Sequence, residues 1–174
     1  MGADLVLFNN NRVIGKKGQK MMNAKIFYKL SYGLYVIGST KDGKFNGQIA
    51  NTVFQISSDP LTVAISINKK NLTNEFIKAS RVFSVSVLPK SSALDFIGHF
   101  GFKSGRDMDK YETVSFKQGT TGAPVLLEQT AGYLEAEVIN IIEVETHTLF
   151  IGKVIDAQVL SDEEPMTYAY YHQL

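Results

Sequence analysis

Cysteine is absent from this chain, and that absence removes a large share of protein chemistry. Without thiols there is no disulfide, no thiolate zinc site, no iron–sulfur cluster or rubredoxin-type iron, and no catalytic cysteine. Nothing calls for an oxidising compartment, so a cytoplasmic location is expected. Histidine is scarce too: His99, His147 and His172 stand far apart, without ligand spacing or an HExxH pattern, so no metal site is expected. A formal net charge of +1 leaves none of the basic footprint that nucleic acid requires. No apolar run approaches the length of a membrane span, and the start MGADLVLF has no basic residue ahead of its short apolar stretch, unlike a signal peptide. GxGxxG and Walker patterns are missing, which disfavours a standard nucleotide-binding βαβ unit.

What remains is an ordinary globular composition, 44% hydrophobic and 20% charged over 174 residues, enough for one domain with a sizeable core. Residues 1–22 differ from the rest. They are polar, basic at Lys16, Lys17 and Lys20, and end at Met21 and Met22. They read as an N-terminal arm, or as an extension upstream of a start at one of those methionines, with the folded domain spanning 23–174.

From Asn23 the pattern sharpens. Asn23 is placed to cap a short helix bearing Ile26, Phe27 and Leu30, ended by Gly33. Leu34 to Thr40 predicts a strand, followed by the hairpin turn KDGK. Phe45 to Ser57 and Leu61 to Asn68 predict strands broken at Pro60. NLTNEFIKAS predicts a helix capped by Asn71 or Thr73, Val82 to Leu88 a strand, and SSALDFIGHF a helix capped by Ser91 or Ser92. A polar loop from Gly101 to Lys110 leads to an expected strand at Glu112 to Lys117. The long pair Tyr133 to Val144 and Leu149 to Leu160 turns at ETHT, before an aromatic tail, YAYYHQL. Strands dominate and most connections are hairpins. The expected fold is mainly β, a closed antiparallel barrel with a few short helices on its rim.

The informative stretch is FNGQIANTVFQ, Phe45 to Gln55, which crowds small hydrogen-bonding residues into a strand. An edge strand facing water accounts for them; so does a strand laid against a flat polar ligand. Two neighbours favour the ligand. INKKNLT, Ile67 to Thr73, sets lysines, asparagines and a threonine at a strand end and helix start, where backbone N–H groups favour an anion. FGFKSGRDMDK supplies Lys103, Ser104, Gly105 and Arg106 in a second phosphate-competent loop. For both loops the alternative is a solvated surface. His99, beside Phe96 and Phe100, reads as a packed or rim histidine.

These segments, in this order, resemble the flavin reductase-like family of FMN-binding split barrels. The resemblance runs from GLYVIGSTKDGKFNGQIANTVFQISSDPLTVAISINKKNLTNEFIKASRVFSVSVL through ALDFIGHFGFKSGRDMDKYE and GAPVLLEQTAGYLEAEV to THTLFIGKV. It is nearest to the flavoredoxin and NAD(P)H:rubredoxin oxidoreductase-like branch. Some members there carry a fused rubredoxin domain, which this cysteine-free chain has no means to build. The resemblance implies FMN as cofactor and NAD(P)H as electron donor. It also implies a homodimer and a flavin, iron or redox-protein acceptor of rubredoxin or flavodiiron type. The flavin would lie along Gln48, Ile49, Ala50, Asn51 and Thr52, with Phe100 nearby. Asn68, Lys70, Asn71 and Thr73, together with Ser104 and Arg106, are the candidates for its phosphate. His147 stands in the place of a hairpin histidine beside the nicotinamide or flavin; its alternative is a turn histidine in solvent. An FMN-bound electron carrier with no nicotinamide site, and a heme- or pyridoxal-related split barrel, are the competing readings.

Overall fold

The computed structural model describes residues 23–174, so the expected arm or extension at 1–22 lies outside the described residues. Nine strands and three α-helices follow a 3-10 turn at Ala24–Lys29, whose cap Asn23 accepts a hydrogen bond from Lys25 N. The strands are β1 (Tyr35–Lys41), β2 (Lys44–Ala50), β3 (Val53–Ser58), β4 (Leu61–Asn68), β5 (Val82–Val87), β6 (Phe116–Gln118), β7 (Pro124–Leu126), β8 (Gly132–Val144) and β9 (His147–Val159). The helices are α1 (Leu72–Ser80), α2 (Leu94–Gly101) and the single turn α3 (Tyr168–Tyr171). The molecule is mainly β with few helices.

Seven strands form one antiparallel sheet in the order β2-β1-β5-β8-β9-β4-β3, and β6 pairs with β7 apart from it. Consecutive strands β2 and β3 are therefore its two edges, although only Asn51 and Thr52 separate them. In a flat sheet of this width the edges would stand about 29 Å apart, whereas three Cα steps span about 11 Å at most. The sheet is consequently curled until its edges approach at this corner. No hydrogen-bonded rung joins β2 to β3 among the described residues.

Alternation sorts the side chains onto two cores. Inside the curl, Ile37, Ala50, Ile65, Ile67, Phe83 and Phe150 pack together, and α1 adds Ile77. On the other face of β1 and β2, Val36 and Ile49 pack against Ile97 and Phe100 of α2, with Tyr111, Leu126 and Met166. Tyr168 belongs to this second core, and Tyr170 and Tyr171 pack on it, so the aromatic tail covers the chain's own interior.

Several expected boundaries move. Phe45 to Ser57 is not one strand but two, broken at Asn51–Thr52 where the chain changes sheet edge. Glu112 to Ser115 is turn, and the strand begins at Phe116 because it pairs with Pro124–Leu126. Ala93, not Ser91 or Ser92, caps α2: its N–H is taken by Gln129 Oε1, while the Ser91 hydroxyl donates to Glu163. The apolar residues of the 3-10 turn stay exposed.

Candidate functional site

The site builds from the corner outward. Asn46, Gln48 and Ala50 share the inward face of β2, the side on which α1 lies. Asn46 Nδ2 donates to Thr73 Oγ1 in the first turn of α1 at 2.8 Å, which ties β2 to the amino end of that helix. Asn46 Oδ1 and Gln48 Oε1 are buried without a hydrogen-bond partner. Orphaned buried acceptors are costly, so each one calls for a partner or a role. Past Ala50 the strand becomes corner: Thr52 Oγ1 donates to Asn51 Oδ1 at 3.0 Å, and Thr52 O accepts from Ser66 N at 3.3 Å. That bond sets the corner beside the last residues of β4.

At the end of β4, Asn68 Oδ1 accepts from Lys70 N at 3.0 Å, and Lys69 N donates to Thr146 O in the β8–β9 turn. Asn71 holds the cap position of α1 without a side-chain cap bond, so amides of the first turn lack that usual acceptor. His147 opens β9 opposite Asn68, half-buried, with Nδ1 2.8 Å from Thr146 Oγ1. Next to it, hydrogen bonds from Lys78 and then Lys69 hold the Glu143 carboxyl down to about 2. Two of the local lysines are thereby neutralised, while Lys70 joins no ion pair among the described residues.

The second loop arrives from the other side. A Cβ added at Gly105 would collide with Asn46 Oδ1 and touch Leu72, so the loop rests directly on β2 and the first residue of α1. Arg106 Nη2 pairs with Glu75 of α1, and Ser104 Oγ accepts from Arg106 N at 3.1 Å. The two groups of phosphate candidates, separate in sequence, thus converge on one helix end. Phe100 does not join them: it is fully buried in the second core and offers no surface. His99 is packed edge-on against Phe100, with Nε2 2.7 Å from Lys110 O.

Three residues here escaped the sequence reading of the site. Asn46 was signalled by its i, i+2 spacing from Gln48. Lys110, buried and bonded to Gly47 O and Phe100 O at 2.9 Å each, looks in sequence like one more charge in DMDKY. Tyr111 sends its hydroxyl into a notch between Gly38 and Gly47, which face each other across β1 and β2. Burial, with Asp109 adding to it, pushes that hydroxyl's pKa up.

The family model described as flavin reductase like domain matches residues 27–173. The chain belongs to the flavin reductase-like family. Among members of the family, a high molecular weight rubredoxin of Moorella thermoacetica is 54% identical over 153 residues, covering 88% of this chain and 67% of that protein. A ferric-chelate reductase (NAD(P)H) of Archaeoglobus fulgidus is 45% identical over 151 residues, covering 87% and 89%. Among solved structures, the NADH:FAD oxidoreductase SgcE6 of Streptomyces globisporus superposes with a TM-score of 0.76 at 26% identity, covering 84% and 86%.

Proposed function

We propose that this protein is an FMN-dependent NAD(P)H oxidoreductase of flavin reductase type, passing electrons to a flavin, iron or redox-protein acceptor. One observation carries the reading: β2, the amino end of α1 and the 103–106 loop converge around the orphaned buried acceptors of Asn46 and Gln48. The family relationship, and relatives named for ferric-chelate and NADH-dependent flavin reduction, support it from outside the geometry.

The residues fit a flavin mononucleotide. Gln48 to Thr52, the end of an edge strand and its corner, would meet the flat ring with the Asn51 and Thr52 side chains. Asn68, Lys70 and Asn71 with Ser104 and Arg106 would hold the phosphate, Arg106 by exchanging Glu75 for it, while the buried Thr73 hydroxyl serves Asn46 instead. His147, opposite Asn68, would orient the nicotinamide. FMN, when bound, accepts hydride from the nicotinamide and releases electrons to the acceptor. The chain's own work is then to orient two flat rings and exclude water.

Closure of the curled sheet into a split barrel, a twofold dimer and a cytoplasmic location belong to the same reading. So does a redox-protein acceptor of rubredoxin or flavodiiron type, supported by the relative named as a rubredoxin. The outer face of β3 and β8 favours the dimer. Phe54 and Ile56 of β3 and Ile139, Ile142 and Val144 of β8 are all 41–56% exposed, and Val144 pairs with His147.

The test is to load the purified protein with FMN and mix it with NADH or NADPH in a stopped-flow spectrometer. Rapid bleaching of the flavin band is expected with at least one. A loaded protein that neither nicotinamide bleaches would be an electron carrier instead, and a chain that retains FAD or no flavin would refute the cofactor.

A further inference from the structure

Lys110 is only 3% exposed, yet no carboxylate pairs with it among the described residues. Its Nζ donates to Gly47 O on β2 and to Phe100 O in the last turn of α2. Its own carbonyl accepts from His99 Nε2, which must carry the proton because a carbonyl has none to give. Residues 99–100 and 110 are thus tied twice, closing the 101–109 loop at its base. The tip of that loop carries Ser104, Gly105 and Arg106 onto Asn46, Leu72 and Glu75. Burial lowers the Lys110 pKa to about 8. A chain that needed only volume here would place an apolar residue at lower cost.

We propose that Lys110 is a positioning residue for phosphate recognition: it staples the loop to β2 so that Ser104 and Arg106 stay over α1, and its unpaired charge favours a dianion there. This rests on the FMN reading above. The charged and titratable groups around Lys110 are His99 on α2, Asp109 and Tyr111 flanking it, and the Arg106–Glu75 pair at the loop tip; β2 offers it the Gly47 carbonyl.

Riboflavin, which lacks the phosphate, separates this role from general support of the fold. Dissociation constants for FMN and riboflavin are measured by fluorescence on wild type, Lys110→Met and Lys110→Arg. The wild type is expected to prefer FMN, Lys110→Met to lose about tenfold or more of that preference, and Lys110→Arg to restore it. If Lys110→Met does not fold, the wild type is titrated from about pH 7 to 9.5, where the phosphate is already a dianion. The preference should then fall as pH rises through about 8, where Lys110 loses its proton, and stay level in Lys110→Arg. FMN and riboflavin weakening together in Lys110→Met, or equal pH profiles in wild type and Lys110→Arg, would overturn the proposal. A wild type that binds both flavins equally would overturn the phosphate assignment itself.

Discussion

Arg106 and Glu75 form an exposed ion pair at the amino end of α1. Both side chains are about half exposed, 50% and 45%, so water screens the pair and its contribution to stability is small. A phosphate dianion offers the guanidinium a stronger, bidentate partner at almost no loss. Arg106→Ala is therefore expected to weaken FMN binding about tenfold, while Glu75→Ala, which frees the guanidinium, tightens it. Flavin titrations on the two variants check the opposite signs, and equal behaviour would return the loop to the solvent. At this scale the sequence was only partly legible. The polar types at Asn68 to Thr73 and Ser104 to Arg106 pointed to an anion. That Thr73 is spent on Asn46, or that Phe100 is interior, depends on partners far along the chain.

Between elements, close approach decides the architecture. Gly38 and Gly47 are opposite one another on β1 and β2, and together they make the notch that receives the Tyr111 hydroxyl. A Cβ at Gly38 would lie 2.6 Å from Ser84 Oγ, 2.8 Å from Pro124 O and 2.8 Å from Tyr111 Oη. One of those atoms is backbone and cannot swing aside, so Gly38→Ala is expected to destabilise by about 1–3 kcal/mol through overpacking. Urea unfolding measures it, and an unchanged midpoint would mean that β7 shifts freely. The turn between these two glycines was readable because Asp42 and Gly43 both need positive φ, 51° and 73°, as a two-residue hairpin does. β4, α1 and the β8–β9 pair declared themselves by period and length. The break at Asn51–Thr52 did not, since the residues on either side are equally strand-like and only the sheet order makes them part. The cap of α2 was hidden likewise, because Gln129 supplies from 36 residues away what Ser91 or Ser92 seemed ready to supply locally.

For the molecule as a whole, the distribution of apolar surface separates what is finished from what is not. Tyr168, Met166 and Leu126 close the second core and leave the aromatic tail little to offer a partner. The unfinished face is the outer side of β3 and β8, where five large apolar residues stand exposed on strands that β4 and β9 separate. Patches of that kind mark interfaces. A dimer burying this face would also cover His147 and the corner, so assembly and flavin binding should be linked. Analytical ultracentrifugation followed at the flavin absorbance is expected to show a dimer, with Ile142→Asp giving monomers of reduced flavin affinity. A flavin-loaded monomeric wild type would refute the linkage.

The two-residue corner has a consequence for how the chain assembles. Hairpins β1–β2 and β3–β4 are local and cheap to close, whereas β1–β5 and β4–β9 pairing must wait for distant segments. Because Asn51 and Thr52 join the hairpins directly, the earliest structure already holds the two margins of the future sheet side by side. The later strands β5, β8 and β9 then insert between β1 and β4 like staves added to a cask begun at its seam. The place where the flavin is proposed to lie is thus formed from neighbouring residues, before most of the wall that will support it.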